Sequence, residues 1–247
     1  MLRSMPRILV LTALMMAASS SALLADKHIV EEITLDDGDR TAEAHTWLGT
    51  GRMAYFDPFA NITTIVRRDI NKLYIVLHDS KEVIEIELPL KLPEDFQNLF
   101  SEMKMRWRTS RLNERRTIGG WDCNKVVVRG RGSINVDIEM WMTDGANIDS
   151  ESLHSHFSAA LKLSPLFSGL GEALIGLGDT FTAEISISTN KLGLRSSSVS
   201  RVKSIFNEPP HPKSYEPPED FQRIMFDFKT YLQLIRLGYR PGVPAGV

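Results

Sequence analysis

The sequence predicts an α+β fold in which a long antiparallel meander packs against helices, and three observations predict it. Short strand-like segments separated by turn residues recur from His28 to Leu88, from Thr109 to Thr143 and from Thr180 to Phe206. Two stretches, after Pro93 and after Ser150, break that rhythm and carry apolar residues at helical spacing. Alternation is clean in Ile84-Glu85-Ile86-Glu87-Leu88, which puts apolar groups on one face of the sheet and carboxylates on the other.

Taken in order, the first strands are expected at His28 to Leu35, Ala42 to Leu48, Arg52 to Phe56, Ile62 to Arg68, Lys72 to His78 and Glu82 to Leu88. Asp36-Asp37-Gly38-Asp39, Gly49-Thr50-Gly51, Asp57-Pro58, Asp69-Ile70-Asn71 and Asp79-Ser80-Lys81 supply turn chemistry between them. Behind Pro93, acidic first-turn residues precede Phe96, Leu99, Phe100 and Met103 on one helical face. Strands resume at Thr109 to Ile118, Trp121 to Arg129 and Ile134 to Thr143, the last with Ile134, Val136, Ile138, Met140 and Met142 on one side.

A second helical block runs from Ser150 to about Gly176 and is divided by Pro165. Its second part is apolar and glycine-rich, and each glycine costs a helix roughly 1 kcal/mol against alanine, so this piece depends on its contacts. Two strands follow, Thr180 to Thr189 and Leu194 to Phe206. Serines at 196, 197, 198, 200 and 204 blur the pattern of the latter, which reads as an edge or solvent-facing strand. Glu208 to Pro218 reads as an extended proline-rich linker. Phe221 to Leu237 reads as a helix with Phe221, Met225, Phe228, Leu232 and Ile235 on one stripe, and 240–246 as a disordered tail.

The N-terminus has the grammar of an export signal. Arg3 and Arg7 precede an apolar run from Ile8 to Ala18, and a small-residue stretch ends at Ala25, before Asp26-Lys27. The run is about half the roughly 20 residues that a membrane-spanning helix needs, so no stable membrane span is expected. Cleavage is expected after Ala25, with Ala22 as the alternative, and no cysteine follows either site to carry a lipid. The division is therefore a signal peptide over 1–25, one domain over 26–207, and a linker, helix and tail over 208–247. The expected location is the periplasm or beyond.

A formal net charge of −2 for the whole chain gives no basic footprint, and no nucleic-acid partner is expected. Cys123 is the only cysteine, which excludes an internal disulfide. With Trp121 and Val126 to Val128 around it, Cys123 reads as a small buried hydrophobe.

No motif for chemistry stands out. His154-Ser155-His156 would diverge by about 200° on a helix and has no partner at ligand spacing, so it reads as structural. Asp36-Asp37-Gly38-Asp39 lacks the closing glutamate of a calcium loop. No Gly-x-Ser-x-Gly occurs, and Gly169, Gly171 and Gly176 do not match a dinucleotide-binding spacing. The chain reads as a non-enzyme without metal or cofactor. Arg106, Arg108, Arg111, Arg115 and Arg116, with Lys104 and Trp107, form a basic cluster that reads as a solvated face and, in the alternative, as a surface for phosphates or an acidic partner.

Several strings resemble the LolA and LppX class of bacterial carriers, and more closely a secreted family of unknown function with that architecture. They are Thr46-Trp47-Leu48-Gly49 with Arg52-Met53, Ile65 to Asp69 into Lys72 to Val76, Glu82 to Pro89, Ile118 to Cys123, and Glu139 to Thr143. The resemblance implies a strongly curved antiparallel sheet, an unclosed half-barrel whose concave face is covered by helices over an apolar cavity for acyl chains. It further implies that Ile84, Ile86, Leu88, Val136, Ile138, Met140, Met142, Phe181, Ala183, Ile185 and Ile187 line that cavity. Leu170, Leu174 and Leu177 would then sit on a lid. The function so implied is a carrier for a lipid, lipoprotein acyl chain or other hydrophobic ligand. The alternative is a cell-envelope interaction module with a filled core and a protein partner.

Overall fold

The computed structural model of the chain describes residues 26–35, 38, 40–91, 105–132, 134–163, 167–191, 194–208 and 212–236. The expected signal peptide (1–25), the helix at 94–103 and the tail at 240–246 lie outside these residues, as does most of the turn at 36–39.

The strands are β1 (Asp26–Leu35), β2 (Arg40–Gly49), β3 (Arg52–Asp57), β4 (Ile62–Arg67), β5 (Lys72–Leu77), β6 (Glu82–Glu87), β7 (Arg106–Ile118), β8 (Trp121–Arg131), β9 (Asn135–Thr143), β10 (Phe181–Lys191), β11 (Leu194–Glu208) and β12 (Gln222–Met225). The helices are α1 (Ser150–Leu161), α2 (Ser168–Ile175) and α3 (Phe228–Arg236). All described strands join one sheet in the order β12-β6-β5-β4-β3-β2-β1-β11-β10-β9-β8-β7. Its ends do not pair, so it is the unclosed half-barrel that the resemblance implies, with helices against one face.

Two meanders, β1 to β6 and β7 to β11, are joined by the antiparallel pairing of β1 with β11. That pairing corrects the reading of β11 as an edge strand: it lies between β1 and β10, near the middle of the sheet. Two of its serines are inside rather than wet. Ser198 and Ser200 are buried on the helix side, opposite Leu35 and Ile33 of β1. The sequence pattern misleads because small polar side chains resemble a solvent face when their role is to occupy little volume.

The C-terminal segment differs from the expected helix. Gln222–Met225 extends the sheet by pairing in parallel with Glu82 to Glu85 of β6. The helix starts only after Asp227, whose carboxylate accepts the Thr230 backbone N–H at 2.7 Å and caps it. The chain wraps the β6 edge in doing so. Tyr215, 1% exposed, packs with Ala54, Ile65, Tyr74, Val76 and Val83 on the outer face of the sheet, and Phe221 joins them. Leu234 of α3 packs on the inner face with Ile75, Ile84 and Ile86. The Arg52 guanidinium stacks over the Tyr215 ring at 4.5 Å, and Arg67 donates to the Tyr215 carbonyl at 3.4 Å.

The inner face carries two cores. One gathers Met53, Val66, Leu73, Ile75, Ile84 and Ile86 of the first meander under Leu153 and Ala160 of α1. The other gathers Val126, Val128, Val136, Ile138, Met140 and Ile187 of the second meander under Leu161, Phe167 and Leu170. Asp149 caps α1 by accepting the Ser152 N–H at 2.9 Å. Helices α1 and α2 then pack at close range. A Cβ on Gly171 would lie 2.4 Å from the Ser158 hydroxyl and 3.0 Å from its Cα, so only glycine fits this crossing. The glycines of α2 weaken it as an isolated helix and let it seat on α1.

Candidate functional site

A cavity of about 110 Å³ lies where the two cores meet, between the β1–β11 junction and helices α1 and α2. The register explains its floor. Met140 of β9 faces Ile185 of β10, Ile185 faces Ser200 of β11, and Ser200 faces Ile33 of β1. A second row runs from Tyr55 of β3 through Thr46 of β2 to Ile29 of β1. Helix α1 supplies Leu153, His154 and Phe157 to the walls, and α2 supplies Leu174. The rows dip at Ser200 and Thr46, where short side chains stand among large ones, and the volume opens there.

Glu31 lies among these apolar walls. Positions 29, 31 and 33 of β1 point toward the helices, so the carboxyl is carried inward between Ile29 and Ile33. Ser200 donates its hydroxyl to the Glu31 Oε1 at 3.2 Å. The residue is half-buried and lines the cavity. Burial pushes its pKa up to about 7, and the Ser200 hydrogen bond opposes that rise. His154, 5% exposed, lines the same space, and its Nδ1 has no hydrogen-bond partner. Burial holds its pKa below the ordinary value, against a weaker opposing pull from Asp179, so the ring is neutral.

Of the residues that the resemblance places in a cavity, Met140, Phe181, Ile185 and Leu174 do line this one. The others serve the cores on either side. Ile84 and Ile86 are buried in the core of the first meander with Leu88 at its margin. Val136, Ile138, Met142, Leu170, Leu177 and Ile187 fill that of the second. Ala183 packs with Ile118 and Cys123, because the register with β9 shifts between Thr182 and Glu184 and takes Ala183 off the inward row. Sequence reasoning missed Glu31, Thr46, Tyr55 and Ser200. A signal existed for one of them, since Ile29-Val30-Glu31-Glu32-Ile33 puts one acid on the inward parity.

The two histidines point different ways. His154 faces the cavity while the His156 Nδ1 is 2.6 Å from the Ser152 carbonyl, and among the described residues no group of three or more His, Cys, Asp or Glu is placed to hold a metal. Cys123 is buried, its Sγ donates to the Trp121 carbonyl at 3.4 Å, and burial raises its pKa. The basic strand β7 is the last in the sheet, and its side chains are exposed from Arg108 to Thr117. Arg111 donates to the Leu177 carbonyl at 2.9 Å, and Arg116 pairs with Glu184 at 3.2 Å. Beside it, Arg111, Arg115, Asn124, Lys125 and Asp144 line a polar groove of about 440 Å³.

No protein-family model matches the chain. No curated protein matches it either. Solved structures similar to it include PNGF-II, at 13% identity and a TM-score of 0.46, over 86% of this chain and 33% of that one. An uncharacterised conserved protein from Thermus thermophilus is similar at 8% identity and a TM-score of 0.44, over 87% and 99% of the two chains. A domain described as an outer membrane lipoprotein-sorting protein, from Vibrio parahaemolyticus, is similar at 6% identity and a TM-score of 0.28, over 90% and 96%. The chain thus spans about a third of the length of PNGF-II. TM-scores this low carry no inference about what this chain binds or does. Among the described residues no helix is long and apolar enough to cross a membrane.

Proposed function

We propose that the protein is an exported, periplasmic binding or carrier protein that holds a hydrophobic ligand beneath α1 and α2 and performs no chemistry on it. The observation that supports this reading is the space at the junction of the two cores. Protein interiors pack to crystal-like density, so a mostly apolar cavity walled by Ile29, Met140, Phe157, Leu174, Phe181 and Ile185 is room held open against a packing cost. Each methylene buried there gains about 0.8 kcal/mol.

At about 110 Å³ the cavity is smaller than the roughly 300 Å³ at which small-molecule pockets begin. A short chain or one ring fits as it stands, and a full acyl chain enters only if the α1–α2 pair lifts from the sheet. Native mass spectrometry of the protein taken from its own compartment, with uptake of a fluorescent fatty acid, tests the proposal. A bound hydrophobic mass or saturable uptake is expected. Bare polypeptide with no uptake contradicts it.

One observation favours a second reading, in which the chain is an envelope interaction module. Strand β7 is an exposed sheet edge carrying five arginines, of which Arg106, Arg108 and Arg115 point to solvent. Crosslinking from β7 to a stoichiometric protein partner, with an empty cavity, would favour that reading over the first.

A further inference from the structure

We infer that the cavity beneath α1 and α2 selects a small cationic amphiphile, an alkyl or aryl amine whose ammonium group pairs with Glu31 while its apolar body lies against Met140, Leu174 and Ile185. The inference rests on the binding reading above and adds the chemical class of the ligand.

Three observations carry it. Glu31 is set inward by the parity of β1, and the Ser200 hydroxyl donates to it. Among the described residues, no lysine or arginine lines the cavity. The carboxylate therefore lacks the partner that makes a buried charge tolerable, and a ligand cation would supply it. His154, 5% exposed, stands in the same wall as the one histidine among the described lining residues, and its Nδ1, itself enclosed, has no hydrogen-bond partner among the described residues. With the polar atoms at Glu31, Ser200, Thr46 and His154 and hydrocarbon elsewhere, the space suits an amphiphile with one polar end.

Size and charge narrow the choice. At about 110 Å³ the space is smaller than the roughly 150 Å³ of an engineered cavity that takes benzene, which limits the apolar body to about six carbons or fewer. An anionic head would meet Glu31 with like charge, and a neutral hydroxyl would leave the carboxylate uncompensated. The groups that face Glu31 are few. Opposite it, β2 presents Ala44 and Thr46, β11 presents Ser200 and Val202, β3 presents Tyr55, and α1 presents His154, on which Asp179 acts. Lys203 is engaged by Glu32 and Glu43 at 3.5 and 3.0 Å. The preference is therefore set by the ionisation of Glu31, and any charge that His154 gains at low pH also disfavours the amine there.

Calorimetric titration of the protein with hexylamine, hexanol and hexanoate tests this. Near pH 8.5, hexylamine is expected to bind at least about tenfold more tightly than hexanol, and hexanoate most weakly. Near pH 5.5, where Glu31 holds a proton, the amine and the alcohol should come within about threefold of each other. Glu31→Gln should bring them equally close at the higher pH, and the wild-type pH series gives the same answer if that variant does not fold. An amine no tighter than the alcohol near pH 8.5, a preference that survives in Glu31→Gln, or a preferred hexanoate overturns the inference while leaving the cavity as a binding site. No binding of any of the three removes the binding reading with it.

Discussion

The two meanders of the sheet are built on different terms. Strands β3 to β6 are covered on both faces, by α1 and α3 within and by Tyr215 and Phe221 without, and β5 reads as a continuous apolar run from Leu73 to Leu77. Strands β8 to β10 are covered on the inner face, with the small Ile118, Cys123 and Ala183 cluster beneath Trp121 and Trp141 outside. The rest of their outer surface carries ion pairs, among them Arg131–Asp137 at 2.6 Å and Arg201–Glu184, with β11, at 2.6 Å. The first meander is a solid slab and the second a one-sided sheet. Where they meet, neither core fills the space under the helices, and the only inward acid of β1 is found there. The comparison teaches that the candidate site is a product of the seam rather than of either half.

The largest effect that separates the halves should come from Tyr215→Ala. It strips the outer cover from the slab and should cost about 3 to 5 kcal/mol in denaturant unfolding. A loss below about 0.5 kcal/mol would mean that the segment before β12 is a loose linker after all.

Glu31→Gln probes the seam. The folded carboxyl titrates at about 7 and the unfolded one at 4.5, so the folded state binds more protons between those values. Stability contributed by this group therefore falls as pH rises through that window and stays low above it. The total is about 3 kcal/mol at roughly 1.4 kcal/mol per pH unit. Glu31→Gln should accordingly be the more stable protein near pH 8 by about 2 to 3 kcal/mol and no better near pH 4. Buried neutral His154 and His156 act in the opposite sense, losing stability as pH falls, and they cancel between the two proteins. Equal stability across the range would show that the carboxyl is solvated.

A smaller effect is expected from Gly171→Ala, which forces α2 off Ser158. About 1 to 2 kcal/mol should be lost net, although alanine favours an isolated helix by about 1. A stabilised variant would show that the helices are not in close contact. Least of all, Arg108→Ala on the exposed face of β7 should change stability by less than about 0.5 kcal/mol.

Much of this fold is written in local patterns. Turn residues, with alternation where one face is wet and apolar runs where both are covered, place eleven of the strands within a few residues of their observed ends. What escapes is decided by pairing across long distances. Nothing in Leu194 to Glu208 announces that it will lie beside β1, so its serines pass for an exposed edge instead of an inner face kept low. Gln222–Met225 is too short and too polar to read as a strand until β6 offers it an unpaired edge. The site is half legible for the same reason. Met140, Phe181, Ile185 and Leu174 follow from apolar parity. Glu31, Ser200 and His154 come together only through the β1–β11 junction and the seating of α1.

Met140 lies in the cavity floor, whereas Met225 is 85% exposed on β12, so their methyl groups form an internal comparison. Carbon-13 methyl spectra of methionine-labelled protein titrated with hexanol should show Met140 shifting to saturation while Met225 stays fixed. A Met140 signal that does not move up to the solubility limit of the alcohol would mean that the seam is closed to hydrocarbon, and the account of the site would fail.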